Sequence, residues 1–248
     1  MSQEVRVALF RPDDERLSEG VELLESLGAV PVPDPMLAVR PTGARPREDA
    51  EYTIFTSKTG VELASKAGWD AGGTAVCAIG ERTARALREA GYPVDLIPEL
   101  FSSTGLVESL REQVQGTTVE VARSDHGSPA LTDGLNDCGG YVHETVLYAL
   151  VVPAGAGVSV DRAAAGELEA ALFTSSLTVE HFVEAAAERG AEEAARSGLE
   201  AAVVGAIGEP TRETAERLGI AVDVVPERAT FEALACEAVE RAAPTYHD

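Results

Sequence analysis

Residues with hydroxyl groups stand at the starts of several predicted helices, each just after a short apolar run or a glycine turn. A helix start offers unpaired N–H groups and a partial positive charge, which together bind carboxylates or phosphates. The same side chains can instead cap their own helices, and each cap then stabilises the fold by about 1 kcal/mol. As a set, they predict a site for a ligand with several negative groups. They are Thr56, Ser57, Thr83, Ser102, Ser103, Thr174, Ser175 and Thr211.

Two arginines extend this pattern, because each ends a β-branched run. Arg11 closes the run VRVALFR, and Arg123 closes the run VEVAR. A guanidinium group at the carboxyl end of a strand can hold a ligand carboxylate through two hydrogen bonds. It can equally form a structural ion pair with an acidic residue of the protein. The sequence leaves both alternatives open.

These residues recur because much of the sequence occurs twice. Residues 78–99 and 206–227 align without a gap, and ten of the 22 aligned residues are identical. A related segment stands before each copy, IFTSKTGVE at 54–62 and LFTSSLTVE at 172–180. The period is too long for a solenoid repeat. It therefore indicates two similar domains, with a ligand cleft between them.

The elements that must position these residues alternate along the chain. Apolar runs predict strands, and amphipathic stretches predict helices. Strands that alternate with helices and carry unbroken apolar runs predict parallel sheets covered on both faces. About five strands per domain indicate flavodoxin-like sheets, in which ligands bind at the carboxyl ends of the strands. The predicted strands include 5–10, 52–55, 75–79 and 94–97, and the predicted helices include 15–27, 81–90 and 231–242.

Composition narrows the partners and the environment. The chain has 248 residues and a formal net charge of −22, which argues against binding to nucleic acid. Its only lysines are Lys58 and Lys66, and a strongly acidic, lysine-poor chain is typical of proteins from salt-loving archaea. No apolar run is long enough to span a membrane, and no basic, apolar leader begins the chain. Three separated cysteines predict free thiols and a cytoplasmic location.

Motifs for other chemistries are absent or weak. No segment matches the P-loop, the dinucleotide-binding glycine pattern or the G-x-S-x-G nucleophile turn. Ser124-Asp125-His126 is interpreted as a polar loop, and Lys58 as a solvated residue because serine replaces it in the second copy. The histidines and cysteines lack metal-ligand spacing, so no metal site is predicted.

An ordered set of motifs resembles the uroporphyrinogen-III synthase family over nearly the whole chain. Arg-Pro after the first strand is followed by G-A-x-P-x-x-x-P at 28–35, F-T-S-x-x-x-V at 55–61 and A-I-G-x-x-T-A-x-A-L-x-x-x-G at 78–91. S-x-x-G-L-x-x-x-L at 102–110, a late tyrosine and the second F-T-S and A-I-G segments complete the set. No single motif is specific, whereas their order is.

The resemblance implies two flavodoxin-like, parallel-sheet α/β domains joined by a two-stranded antiparallel ladder, with the active site in the cleft between them. Tandem halves alone would place the domain boundary near Gly116. The family pattern instead implies one discontinuous domain from residues 1–36 and 149–248, and an inserted domain from 37–148. The ladder strands are then expected near 36–39 and 147–152.

The resemblance also implies a chemistry. The substrate is hydroxymethylbilane, a linear tetrapyrrole polycarboxylate that the enzyme closes to uroporphyrinogen III without a cofactor. Tyr148 matches the family's late tyrosine and is expected to be the acid, or the hydrogen-bond donor, for the leaving hydroxyl. Thr211 and its counterpart Thr83 are expected to bind substrate carboxylates, together with the F-T-S hydroxyls. A monomer is the default expectation.

Several alternatives stay open at this point. Tyr148 can be an aromatic residue that only packs against a strand. Ala122-Arg123-Ser124 replaces the family's more usual Arg-Gly, which leaves the role of Arg123 open. Pro210 removes one backbone amide from the second A-I-G turn. The chain as a whole could also be a two-domain sensor that closes on a small polyanion, or a transferase that uses a nucleotide sugar.

Overall fold

The computed structural model describes residues 4–243. The chain divides into two compact units. Unit 1 comprises Met1–Ala38 and Val151–Asp248, and unit 2 comprises Val39–Leu150. Within the described range, no helix is both long enough and apolar enough to cross a membrane.

Strands and helices alternate along residues 4–243, as the sequence predicts. The strands are β1 (Arg6–Phe10), β2 (Val30–Pro33), β3 (Ala38–Pro41), β4 (Tyr52–Phe55), β5 (Ala75–Ala78), β6 (Thr118–Ser124), β7 (Tyr141–Val151), β8 (Ala170–Phe173) and β9 (Val203–Ala206). The helices are α1 (Glu15–Ser26), α2 (Lys58–Lys66), α3 (Glu81–Glu89), α4 (Ser103–Leu110), α5 (Pro129–Asp137), α6 (Val158–Ala164), α7 (Ser176–Glu188), α8 (Glu192–Glu200), α9 (Glu209–Arg217) and α10 (Phe231–Ala242).

Unit 1 is built on a four-stranded sheet with the order β2-β1-β8-β9, in which all neighbouring strands are parallel. A parallel bridge from Gly205 to Val224 adds a fifth position beside β9. This is the flavodoxin-like strand order. Buried side chains pack on both faces of the sheet, and the Phe10 and Phe173 rings stack on one face with centroids 4.4 Å apart.

Unit 2 repeats this arrangement with its chain order permuted. Its sheet has the order β3-β7-β6-β4-β5, and the four strands from β7 to β5 are parallel. A parallel bridge from Cys77 to Leu96 extends it beyond β5, as Val224 does beyond β9 in unit 1. If β6 is taken as the first strand and β7 as the second, then β4, β5 and the bridge at Leu96 are the third, fourth and fifth. The spatial order is then the flavodoxin-like order found in unit 1. The predicted fold class, α/β with parallel sheets, is therefore confirmed.

Two local predictions need correction, and two helices were not predicted. The predicted strand 94–97 is only a single bridge, between Leu96 and Cys77. The Asp95 carboxylate accepts the Val76 N–H at 2.7 Å, so this N–H does not form a backbone hydrogen bond to a neighbouring strand. The ladder strand expected at 36–39 begins instead at Ala38, because the Met36 carbonyl accepts a hydrogen bond from His181 and Leu37 bridges Pro12. Helices α6 and α8 are not predicted from the sequence.

Candidate active site

The sheet registers show which residues of the two units are equivalent. Phe10 lies opposite Phe173 of the second F-T-S segment, and Ala122 lies opposite Phe55 of the first. Arg11 and Arg123 each follow directly and are therefore equivalent. Both stand at the carboxyl edge of their sheet, the edge where the parallel strands end. Each unit can thus be compared with the other at its predicted ligand-binding edge.

In unit 1 this edge forms an open pocket of about 320 Å³. Three predicted site residues, Arg11, Thr174 and Ser175, line it together. The Thr174 hydroxyl donates to the Phe10 carbonyl at 2.6 Å, and the Ser175 hydroxyl caps α7 by accepting the Thr178 N–H at 3.3 Å. The other lining residues are Pro12, Arg16, Leu37, Ile207, Ala229 and Phe231.

Arg11 brings a positive charge to this pocket. Its guanidinium carbon lies 4.5 Å from the centre of the Phe231 ring. Burial, followed by the nearby Arg16 guanidinium, lowers the pKa of Arg11 below its ordinary value, but an arginine stays charged at neutral pH. No carboxylate in the described part of the chain forms an ion pair with Arg11, since Asp14 pairs with Arg16 and Glu19 acts on Arg11 only through its charge at longer range. The pocket is therefore suited to bind a carboxylate.

At the equivalent position in unit 2, the Arg123 guanidinium binds other groups of the protein. It is 7% exposed, donates to the Ser128 carbonyl at 2.6 Å and forms an ion pair with Glu144. The register explains why unit 1 lacks this pair. Glu144 lies opposite Val121 in unit 2, and the equivalent position in unit 1, opposite Leu9, is Pro33. The position of Arg123 thus favours a structural ion pair over the substrate-binding role that was the other expectation.

Tyr148 and Ser57 meet at the carboxyl edge of unit 2. The Tyr148 hydroxyl donates to Ser57 Oγ at 2.9 Å, and Ser57 Oγ also accepts the Gly60 N–H at 3.0 Å as the cap of α2. Tyr148 is 6% exposed and packs in the core of unit 2. The ring of Tyr148 therefore packs in the core while its hydroxyl reaches a helix start, and its expected role as the acid stays a prediction.

The remaining predicted residues also lie at helix starts. Ser102 caps α4 by accepting the Gly105 N–H at 3.0 Å, and Ser103 is its half-buried first residue. Thr56 is half-buried beside Ser57. Thr83 and Thr211 lie in the first turns of α3 and α9 and are only 4% and 3% exposed. The two threonines are thus placed as predicted along the chain, but their side chains face the protein.

The glycines that begin α3 and α9 differ in what covers them. A Cβ on Gly80 would lie 3.2 Å from the Phe101 side chain, whereas a Cβ on Gly208 would meet no described atom within 4 Å. Ala229 occupies the place of Phe101 in the second copy. The helix start at Gly208 is therefore the more open of the two.

Three neighbours of the predicted site residues were not found from the sequence. Arg16 and Phe231 complete the Arg11 pocket, and Glu144 neutralises Arg123. Phe231 is separated from Arg11 by most of the chain, so no local spacing pointed to their contact. The only usable signal was the repeat itself, which places Phe231 directly after the capping Thr230 of the second copy.

Comparisons with known proteins agree on one family. The family model described as uroporphyrinogen-III synthase HemD matches residues 18–236. A putative uroporphyrinogen-III synthase of Methanothermobacter thermautotrophicus is 32% identical over 240 residues, covering 90% of this chain and 93% of that protein. A uroporphyrinogen-III synthase of Synechococcus elongatus is 26% identical over 231 residues, covering 85% and 86%.

Solved structures show the same fold. A mutant uroporphyrinogen III synthase from Thermus thermophilus superimposes with a TM-score of 0.69 at 22% identity, covering 96% of this chain and 98% of that one. The uroporphyrinogen-III synthetase of Helicobacter pylori superimposes with a TM-score of 0.61 at 15% identity, covering 96% and 100%.

Proposed function

Since the chain belongs to the uroporphyrinogen-III synthase family, we propose that it closes hydroxymethylbilane to uroporphyrinogen III. The reaction removes the substrate's hydroxyl group, inverts the last pyrrole ring through a spiro intermediate and releases water. The protein is then a lyase of tetrapyrrole biosynthesis. Its main task is to hold a flexible polyanion in a ring-closing conformation, which is catalysis by orientation.

The observation that carries this proposal for the chain's own residues is the Arg11 pocket. A half-buried guanidinium that forms no ion pair, in a pocket also lined by Arg16, Thr174 and Ser175, matches a carboxylate side chain of the substrate. Hydrogen bonds to charged groups are worth about 1.5–3 kcal/mol, more than neutral ones. The helix starts at Ser102 and Gly208 can bind further carboxylates through their backbone amides.

Tyr148 is the proposed source of the proton for the leaving hydroxyl. Its hydroxyl lies at the carboxyl edge of unit 2, hydrogen-bonded to a helix-start serine. Loss of the hydroxyl leaves an azafulvene cation, and a general acid lowers the barrier to that step by protonating the departing oxygen.

The organisation and the setting of the enzyme are also proposals. Units 1 and 2 are taken as the discontinuous and the inserted domain of the family. The net charge of −22 favours an enzyme that is active in molar salt, where ions screen the repulsion between the protein and its anionic substrate. We propose a cytoplasmic monomer that binds neither nucleic acid nor membranes.

The test is to give the purified protein hydroxymethylbilane in molar potassium chloride and to resolve the product isomers. Uroporphyrinogen III above the spontaneous type I background is the expected result. Only type I product, from protein shown by circular dichroism to be folded in that salt, would reject the proposal. That outcome would instead favour a binding protein that closes on a small polyanion.

A further inference from the structure

The hydrogen bond between Tyr148 and Ser57 has a direction that matters for proton transfer. The geometry is that of Tyr148 donating its only hydrogen to Ser57 Oγ at 2.9 Å. The tyrosine is 6% exposed and Ser57 is half-buried. In this arrangement the phenol's proton faces the serine, and Ser57 is the more exposed of the two residues.

Ser57 is left with its own proton to give. A serine hydroxyl has two lone pairs and one hydrogen. The lone pairs of Ser57 accept the Tyr148 hydroxyl and the Gly60 N–H, and no acceptor for its hydrogen lies among residues 4–243. Accepting two hydrogen bonds at the positive end of α2 polarises the remaining O–H and makes it a better donor.

From this geometry we infer that Ser57 is a catalytic residue that touches the leaving hydroxyl, and that Tyr148 supplies the proton through it. This inference rests on the proposed function and refines it. Ser57 then acts as a proton donor as well as a helix cap, and not as a ligand for a substrate carboxylate. Tyr148 acts through Ser57 and is a positioning and proton-supplying residue.

The proton relay balances in atoms and electrons. As the C–O bond breaks, its electron pair stays on oxygen, which takes the Ser57 proton and leaves as water. The electron pair of the pyrrole nitrogen forms the new double bond of the azafulvenium cation. The Tyr148 proton moves to Ser57 in the same step, leaving a phenolate. Ring closure later releases one proton from the attacked pyrrole carbon, and this proton returns to Tyr148 through Ser57.

The second copy of the motif provides an internal contrast. Ser175 is the equivalent helix cap in unit 1, but its hydroxyl lies 3.5 Å from the Thr178 hydroxyl and accepts the Thr178 N–H at 3.3 Å. No tyrosine contacts it in the described part of the chain. Capping alone therefore does not require the Tyr148 contact, which is specific to unit 2.

The test compares Ser57→Ala, Tyr148→Phe and the double variant by kcat for uroporphyrinogen III formation. Each single variant is expected to lose about 100-fold, in the usual range for removal of a general acid. Two members of one relay are non-additive, so the double variant should lose no more than the worse single variant. A double loss equal to the product of the single losses would overturn the inference.

Cap variants separate proton donation from helix capping. Asparagine caps helices as well as serine but cannot pass on a hydroxyl proton, so Ser57→Asn should keep wild-type stability and stay about 100-fold slow. Ser57→Thr should restore most of kcat. The matched control is Ser128→Ala, which removes the cap of α5 in the same unit and should leave kcat unchanged. Full activity of Ser57→Asn would overturn the inference.

Failure of the relay and failure of the proposed function are distinguishable in the same assay. A wild-type protein that yields only type I product rejects both. A wild-type protein that yields uroporphyrinogen III, with independent losses in the two variants, rejects the relay and leaves the synthase assignment intact.

Discussion

Two equivalent arginines end equivalent strands, yet one faces an open pocket and the other is buried in an ion pair. Arg11 in unit 1 lies over an aromatic ring without an acid, whereas Arg123 in unit 2 is held by Glu144 and the Ser128 carbonyl. The difference follows from one residue on the neighbouring strand, Pro33 in one copy and Glu144 in the other. The two edges are therefore alike in fold but differ in what surrounds this arginine.

The strongest test of this difference is to replace each arginine in turn and to measure the free energy of unfolding in molar salt. Arg123→Met removes a buried guanidinium from the Ser128 carbonyl and from Glu144, whose side chain is 34% exposed, and should cost about 2 kcal/mol of stability. Arg11→Met should cost less than about 1 kcal/mol, because only the contact with the Phe231 ring is lost and no ion pair is broken. Equal losses in the two variants would contradict the proposed division of tasks.

The complementary measurement is substrate binding. Arg11→Met should raise KM for hydroxymethylbilane about tenfold, the value of one charge-assisted hydrogen bond to a carboxylate. Arg217→Met is the control for loss of one positive charge, since Arg217 forms only an exposed ion pair with Glu180 in unit 1. A similar KM in the two variants would mean that the Arg11 pocket does not hold the substrate.

The edges at which the parallel strands begin can be compared by measuring the stability of each unit as a function of pH. Glu169 accepts the Arg6 backbone N–H and pairs with its guanidinium, and Glu51 accepts the Thr118 N–H at the equivalent place. Burial raises the pKa of Glu169, but the Arg6 hydrogen bonds and charge outweigh it, so the pKa lies below its ordinary value. Its stabilisation is therefore complete above the unfolded pKa and is lost as pH falls through the folded one.

Glu169→Gln should accordingly destabilise unit 1 by about 1 kcal/mol at pH 7. The deficit relative to wild type should shrink as the pH falls below about 4.3, where the Glu169 carboxylate of the unfolded chain takes up a proton, and should vanish below the lower pKa of the folded state. Urea unfolding at several pH values measures this, and Glu51→Gln is the matched variant in unit 2. A deficit that stays constant from pH 7 to pH 3.5 would show that charge is not its cause.

The smallest effect is expected where Phe101 covers the Gly80 turn. Phe101→Ala copies the arrangement of unit 1 into unit 2, and the side chain is 63% exposed, so stability should change by less than about 0.5 kcal/mol. The reverse exchange, Ala229→Phe, would crowd the Arg11 pocket and should raise KM about threefold. A stability loss above about 2 kcal/mol in Phe101→Ala would place that ring in the core instead.

Sequence reasoning predicted the elements well because their signals are local. The caps at Ser57, Ser102 and Ser175 and the helix Phe231–Ala242 lie where the residues indicated. Parallel sheets followed from unbroken apolar runs between helices, and the duplication gave two similar units.

The site was harder to predict because its decisive contacts are between distant segments. Glu144 lies 21 residues from Arg123, and Ser57 lies 91 residues from Tyr148. Spacing cannot show which acid faces an arginine or which hydroxyl a tyrosine meets, since strand register sets both. For the same reason, the burial of Thr83 and Thr211 could not be inferred from their place after an A-I-G turn.

The division of the chain also dictates an order of assembly during synthesis. Unit 2 is one uninterrupted segment, whereas the central strand β1 of unit 1 pairs with β8, about 160 residues further along. Unit 2 can therefore fold as it leaves the ribosome. Until β8 has been synthesised, the edge of β1 that pairs with β8 has no partner. We expect nascent chains that stop before residue 170 to hold a folded unit 2 and an aggregation-prone amino-terminal segment.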